Sequence, residues 1–180
     1  YLDSNNFLNI NYEDIYNKIN ELDMNVIDIR STLNLDDYYE TDTHWKQENL
    51  GKVAEVLSNN MKFKYTNTGY TENVCNDFYG VYFGESAVSR KPEKLTYLTS
   101  DIILNAKVNY LENKELTTVY NEKKLTGFDA YEVFLDGASA FIEITNPNTT
   151  TNKELVIFRD SFGSSLTPLL IEGYSKITVI

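Results

Sequence analysis

Residues 154–180, ELVIFRDSFGSSLTPLLIEGYSKITVI, constrain this chain more than any other stretch. ELVIF is a continuous apolar run of strand length and reads as a buried strand. DSFGSS is a turn by composition, since Asp, Ser and Gly all favour local backbone reversals. LTPLLIEGY reads as a helix that must start close to Pro168, because proline is tolerated in a first helical turn. KITVI is a second strand. Two strands joined through a helix run parallel in one sheet, and that places the chain in the α/β class.

The other end of the chain repeats the theme. NYEDIYNKINEL sets Tyr12, Ile15, Ile19 and Leu22 on one helical face, with Asn11 as N-cap. MNVIDI (24–29) reads as a short buried strand. Leu50, Val53, Ala54 and Leu57 follow a 3.6-residue period, so 46–59 is a helix. Between these ends, 60–76 reads as irregular. FYGVYF (78–83), KLTYL, KVNYL, ELTTVY, DAYEVFLDG and SAFIEITN read as strands, with turns at Asn113–Lys114 and Asp136–Gly137. NPNTTTNKE is a loop. The expectation is one α/β domain over 1–180, a parallel sheet flanked by helices, with a β-rich insertion at about 78–145. No apolar run approaches the ~20 residues that span a bilayer. The start at Tyr1 and the stop at KITVI read as a processed or truncated segment of a longer protein.

Charge and cysteine content narrow the partners. The formal net charge is −11. Nucleic acid needs a basic footprint that such a chain does not offer. The single cysteine, Cys75, excludes an internal disulfide and a multi-cysteine metal site.

Two stretches can carry chemistry. In YYETDTHWKQENL, the sole histidine, His44, stands two residues after Asp42, just ahead of the periodic helix. In an extended segment such residues point to the same side. A carboxylate there orients the imidazole and stabilises its protonated form, which makes a competent general base. A lone histidine at a helix start is more often a cap or a surface residue, and Trp45, the sole tryptophan, is more often core than ligand stack. In RDSFGSS, Ser161 sits at the carboxyl end of a strand, where open α/β sheets place their sites. The following helix N-terminus offers free N–H groups to an oxyanion. The plain alternative is a helix cap. Taken together, one serine, one histidine and one carboxylate are the three parts of a hydrolase-type triad. A metal site on Asp42 and His44 lacks further nitrogen or sulfur ligands.

TDTHW, about a hundred residues ahead of RDSFGSS and LTPLLIEGYSKITVI, resembles the bacterial DHHW proteins, relatives of the alginate O-acetyltransferases of the SGNH hydrolase superfamily. FYG, FLDG and ITNPN fit the same resemblance, which spans about Tyr38 to the end. It implies a flavodoxin-like parallel sheet with the triad order permuted, the Asp-x-His element preceding the serine. It implies Ser161 as nucleophile, His44 as base and Asp42 as its support. Trp45 matches the family tryptophan, assigned to packing or the pocket wall. Thr43 replaces the first histidine of the name-giving motif. Backbone N–H groups of Ser161 and Gly163 are the expected oxyanion donors. Gly80, Gly137, Asn146 and Asn148 are candidates for the glycine and asparagine that SGNH enzymes usually add. The implied activity is acetyl transfer to, or ester hydrolysis on, an extracellular polysaccharide. It requires no metal or cofactor, acts at the bacterial cell surface, and draws its acyl group from a membrane-bound O-acyltransferase. The alternatives are an inactive glycan-binding module and an assembly subunit of a surface-polysaccharide machine.

Overall fold

In a computed structural model, residues 11–85 and 91–180 are described. In chain order the elements are α1 (Tyr12–Asn20), α2 (Gly51–Met61), β1 (Thr71–Phe78), α3 (Val81–Glu85), β2 (Glu93–Thr99), α4 (Asp101–Asn105), β3 (Lys107–Tyr110), β4 (Ile142–Thr145), β5 (Glu154–Ile157), α5 (Ser161–Leu170) and β6 (Lys176–Val179), with short 3-10 turns between them. The architecture is mixed α/β. β3, β4, β6 and β5 form a four-stranded sheet in that order, and β1 pairs with β2 in a separate antiparallel ribbon.

The parallel-sheet expectation holds for a single unit. β5, α5 and β6 form a parallel crossover, with Leu155 opposite Ile177 and Ile157 opposite Val179. β4 runs antiparallel to both β3 and β6. The strands at 107–110 and 142–145 therefore belong to the same sheet as the β5–α5–β6 unit. Ile142, Ile144, Ile177 and Val179 are buried in the middle of this sheet and share one core cluster with Leu169, Leu170 and Ile171. α2 adds Val53 and Ala54, both fully buried, and packs on α5.

Several local expectations change. MNVIDI is not a strand: Met24 and Val26 stand largely in solvent, and the apolar run has no strand partner among the described residues. α1 forms where its cap dictates, with Asn11 Oδ1 accepting from Glu13 and Asp14 N–H, yet none of its residues is buried. The stretch at 71–78 is β1, a polar strand exposed along most of both faces. Phe78 ends that strand, and 81–85 is a helical turn. The loop expected beyond it lies partly outside the described residues. ELTTVY and DAYEVFLDG form only the isolated Tyr120–Phe134 bridge and a 3-10 turn at Ala130–Val133. Their aromatic residues pack as tilted rings rather than as a cross-strand ladder, with Tyr131 and Phe134 centroids 4.9 Å apart. β5 is an edge strand, half exposed, with Val156 57% accessible. DSFGSS is the first turn of α5, capped by the Asp160 side chain on Phe162 N–H. Pro168 consequently lies in the last turn of that helix, where its missing N–H removes one hydrogen bond.

Candidate active site

The segment 40–44 is pinned from several directions before it reaches Asp42. Glu93 on β2 accepts from the Glu40 and Thr41 N–H groups and from Thr41 Oγ1. Tyr82 N–H donates to the Thr41 carbonyl. Gly80 N–H donates to Thr41 Oγ1 at 3.1 Å. A methyl at Gly80 would overlap the Thr41 carbonyl and Asp42 Cβ, so glycine is required by the close approach. Gly80 is thus a spacer under the Asp42 loop rather than an oxyanion donor.

Asp42 and His44 are brought together by a bend rather than by an extended strand. The Asp42 carboxylate accepts from the His44 backbone N–H at 2.9 Å, the Asx-turn arrangement that short acidic side chains favour. The same oxygen receives His44 Nδ1–H at 2.5 Å, and the second oxygen receives Val81 N–H at 3.0 Å. Burial pushes the Asp42 carboxyl up, but the hydrogen bonds from His44 and Val81 outweigh it and hold the group below its ordinary value. Asp42 is therefore ionised, and its charge fixes the proton of the imidazole on Nδ1.

That tautomer leaves His44 Nε2 as an acceptor. It lies 2.8 Å from Ser161 Oγ, across 117 positions of sequence. Ser161 is the first residue of α5, exposed at the rim just beyond the carboxyl end of β5. The β5–β6 pairing continues to this rim through Ile180 N–H to the Ile157 carbonyl and Arg159 N–H to the Ile180 carbonyl. The Tyr131 ring stacks on the imidazole, with centroids 3.8 Å apart and planes 11° from parallel.

A buried polar web joins the two halves; of its members the sequence singles out Trp45, and it misses Gln47, Tyr131 and Ser165. Ser165, fully buried on α5, accepts through Oγ from Trp45 Nε1–H and from the Tyr131 hydroxyl, both at 2.7 Å. Trp45 also reaches the Phe162 carbonyl. It is a packing residue of the core and lies outside the cleft wall. Gln47, also fully buried, donates to the Ser165 carbonyl and accepts from Leu98 N–H, each at 2.7 Å. Long-range partners of this kind leave no periodic signal. A glutamine three residues after the only histidine, at the start of an apolar period, was the available clue.

The cleft beside Ser161 holds about 420 Å³. Its walls include His44, Asp129, Glu132, the Gly137–Ala140 turn, Arg159 and Asp160. The oxyanion candidates separate here. Gly163 N–H is engaged by the Asp160 carbonyl at 3.1 Å, and Phe162 N–H by the Asp160 carboxylate. Gly163 instead makes room for the Arg159 side chain, which a methyl would meet at 2.6 Å. Gly137 forms the turn with φ +68° and its N–H is bonded to the Phe134 carbonyl. Asn146 is buried away from the cleft, donating to the Ile171 carbonyl and accepting from Asn148 N–H. Asn148 is exposed, and among the described residues it makes that bond alone. Among the described residues the Ser161 N–H has no partner, and it stands at the helix N-terminus. No group of three or more His, Cys, Asp or Glu among the described residues could hold a metal ion.

The mixed α/β fold presents a serine at a strand-to-helix turn to a carboxylate-braced histidine, within the hydrogen-bond reach that activation of a hydroxyl requires. The chain belongs to the DHHW protein family, whose sequence profile matches residues 4–180. No curated protein matches it. Among solved structures it is similar to a DHHW family protein from Eubacterium siraeum, at 19% identity and a TM-score of 0.68, over 79% of this chain and 50% of that one. It is also similar to Bacillus cereus PatB1 carrying a sulfonyl adduct, at 17% identity and TM-score 0.61, over 81% and 52% of the two chains. A second structure of Bacillus cereus PatB1 gives 15% identity and TM-score 0.58, over 81% and 53%. The chain spans about half the length of these neighbours.

Proposed function

We propose that this protein transfers acyl groups through Ser161, either to a sugar hydroxyl or to water, on an exported polysaccharide. The observation that carries the reading is the unbroken relay from Asp42 through His44 to Ser161 Oγ, at 2.5 and 2.8 Å. His44 Nε2 removes the Ser161 hydroxyl proton as Oγ attacks the ester carbonyl. Asp42 stabilises the imidazolium that forms. The Ser161 N–H and the field of the α5 N-terminus face the developing oxyanion. Collapse breaks the ester bond, and His44 returns its proton to the departing alcohol oxygen. An acceptor hydroxyl, or water, then gives its proton to His44 and attacks the acyl-serine. Its oxygen bonds the acyl carbon, and Ser161 leaves with the proton restored. On this reading the protein works at the cell surface, supplied with acyl groups by a membrane-bound O-acyltransferase.

The engaged N–H groups of Gly163, Phe162 and Gly137 favour a second reading, in which the cleft binds a glycan or assembles with partners without turnover. One experiment separates the two. Exposure to a sulfonyl fluoride, followed by peptide mass mapping, labels Ser161 in the wild type and fails in His44→Ala. Ser161→Ala lowers hydrolysis of p-nitrophenyl acetate by about 10⁴-fold. Equal labelling of the two proteins, or full activity in Ser161→Ala, refutes the acyl-transfer reading.

A further inference from the structure

The cleft at Ser161 has a definite charge. Three carboxylates line it, from Asp129, Glu132 and Asp160, against one guanidinium, Arg159. Its Nη2 donates to the Gly137 and Ser139 carbonyls, and its Nη1 to the Asp160 carbonyl. Its Nε is buried without a hydrogen-bond partner among the described residues. The one guanidinium of the lining thus braces the Gly137–Ser139 wall through Nη2 and is outnumbered by carboxylates.

The carboxylates differ in how far they are answered. Glu132 is paired with Lys124 at 2.6 Å. Asp160 caps α5 and lies in the field of Arg159. Asp129 accepts only Tyr131 N–H and makes no ion pair among the described residues. It is half-buried, and burial followed by the nearby Asp42 charge pushes its carboxyl up. A carboxylate so placed has no ion-pair partner among the described residues, only the more distant fields of Lys124 and His44, and the chain as a whole carries −11. A polyanion approaching this cleft meets repulsion from the wall and from the overall field, whereas a cation is drawn in.

We propose that the cleft selects an amino-sugar glycan bearing free ammonium groups and rejects uronate-bearing polyanions, with Asp129 receiving the ammonium. This assignment of substrate class rests on the proposed reading of Ser161 as the reacting group. It sets the chain apart from enzymes of anionic polymers by charge alone.

Binding to Ser161→Ala protein tests the assignment without turnover. Isothermal titration compares oligomers of glucosamine, N-acetylglucosamine and a uronic acid, of equal length, where the amines are protonated. The glucosamine oligomer is expected to bind about tenfold more tightly than either other at low salt. The preference shrinks as ionic strength rises, because contacts at an open cleft are screened. Asp129→Asn in the same background removes most of it. The proposal is overturned by uronate binding that is equal or tighter, by amine and acetamide oligomers binding alike, by no saturable binding, or by a preference that Asp129→Asn leaves intact. Sulfonyl labelling of Ser161 in the wild type is read separately. Labelling without charge preference overturns only the substrate assignment, whereas preference without labelling overturns only the chemistry.

Discussion

Replacing Gln47 by leucine probes how the two halves of the site are held together. The side chain is fully buried and joins α5, through the Ser165 carbonyl, to β2, through Leu98 N–H, both at 2.7 Å. The Tyr120 hydroxyl adds a 3.3 Å contact but also donates to the Leu98 carbonyl, so it keeps a partner in the variant. Leucine has a similar volume and opens little cavity. The loss orphans the Leu98 N–H, at about 1–3 kcal/mol, and strips a second bond from the Ser165 carbonyl, which sits inside α5 and keeps its place in the helical ladder. We take about 2 kcal/mol as the net cost. For a chain of this size that lowers Tm by about 4–8 °C. Because Ser165 lies one turn beyond Ser161, sulfonylation of Ser161 should also slow at temperatures where the variant remains folded. Calorimetry and timed labelling measure the two effects. A Tm within about 2 °C of wild type refutes the bridging role, since a buried pair cannot be lost that cheaply.

Two further predictions follow from the Asp42 loop. The Asp42 carboxyl is held below its ordinary value of 3.8 in the folded protein. Between the two values the unfolded chain binds the extra proton, so stability from this group is present above 3.8 and lost as pH falls through the lowered folded value. Denaturation midpoints of wild type and Asp42→Asn should converge on acidification, and a gap that widens there contradicts the assignment. Gly80→Ala forces a methyl into the Thr41 carbonyl and Asp42 Cβ. It should cost about 1–3 kcal/mol and displace the carboxylate from His44. Unaltered urea midpoints and labelling rates would show that the loop yields freely.

How much of this was legible depended on the range of the forces involved. The Asn11 cap, the α2 period and the strand–helix–strand order at 154–180 are local features, and each left its pattern in neighbouring residues. Asp42, His44 and Ser161 could be named because a spacing of two and a strand-to-helix turn are also local. β1 was missed because its two faces are both mostly wet, so no alternation marks it. The stretches 115–120 and 129–137 read as strands because tyrosine, valine and phenylalanine suit any half-buried surface, whether or not a ladder forms. Gln47, Tyr131 and Ser165 matter through partners 34 to 120 residues away, which no short window contains. The oxyanion candidates failed for a similar reason: an N–H group's availability depends on which carbonyl already holds it.

A solitary imidazole has an experimental consequence. With no second histidine in the chain, every proton, carbon or nitrogen resonance of that ring type reports on the Asp42–His44–Ser161 cluster without assignment work. The parallel phenol face against it supplies a ring-current displacement. Ligand entry, protonation and detachment of the carboxylate each move one isolated signal, so the state of the cleft can be followed by nuclear magnetic resonance in the unmodified protein.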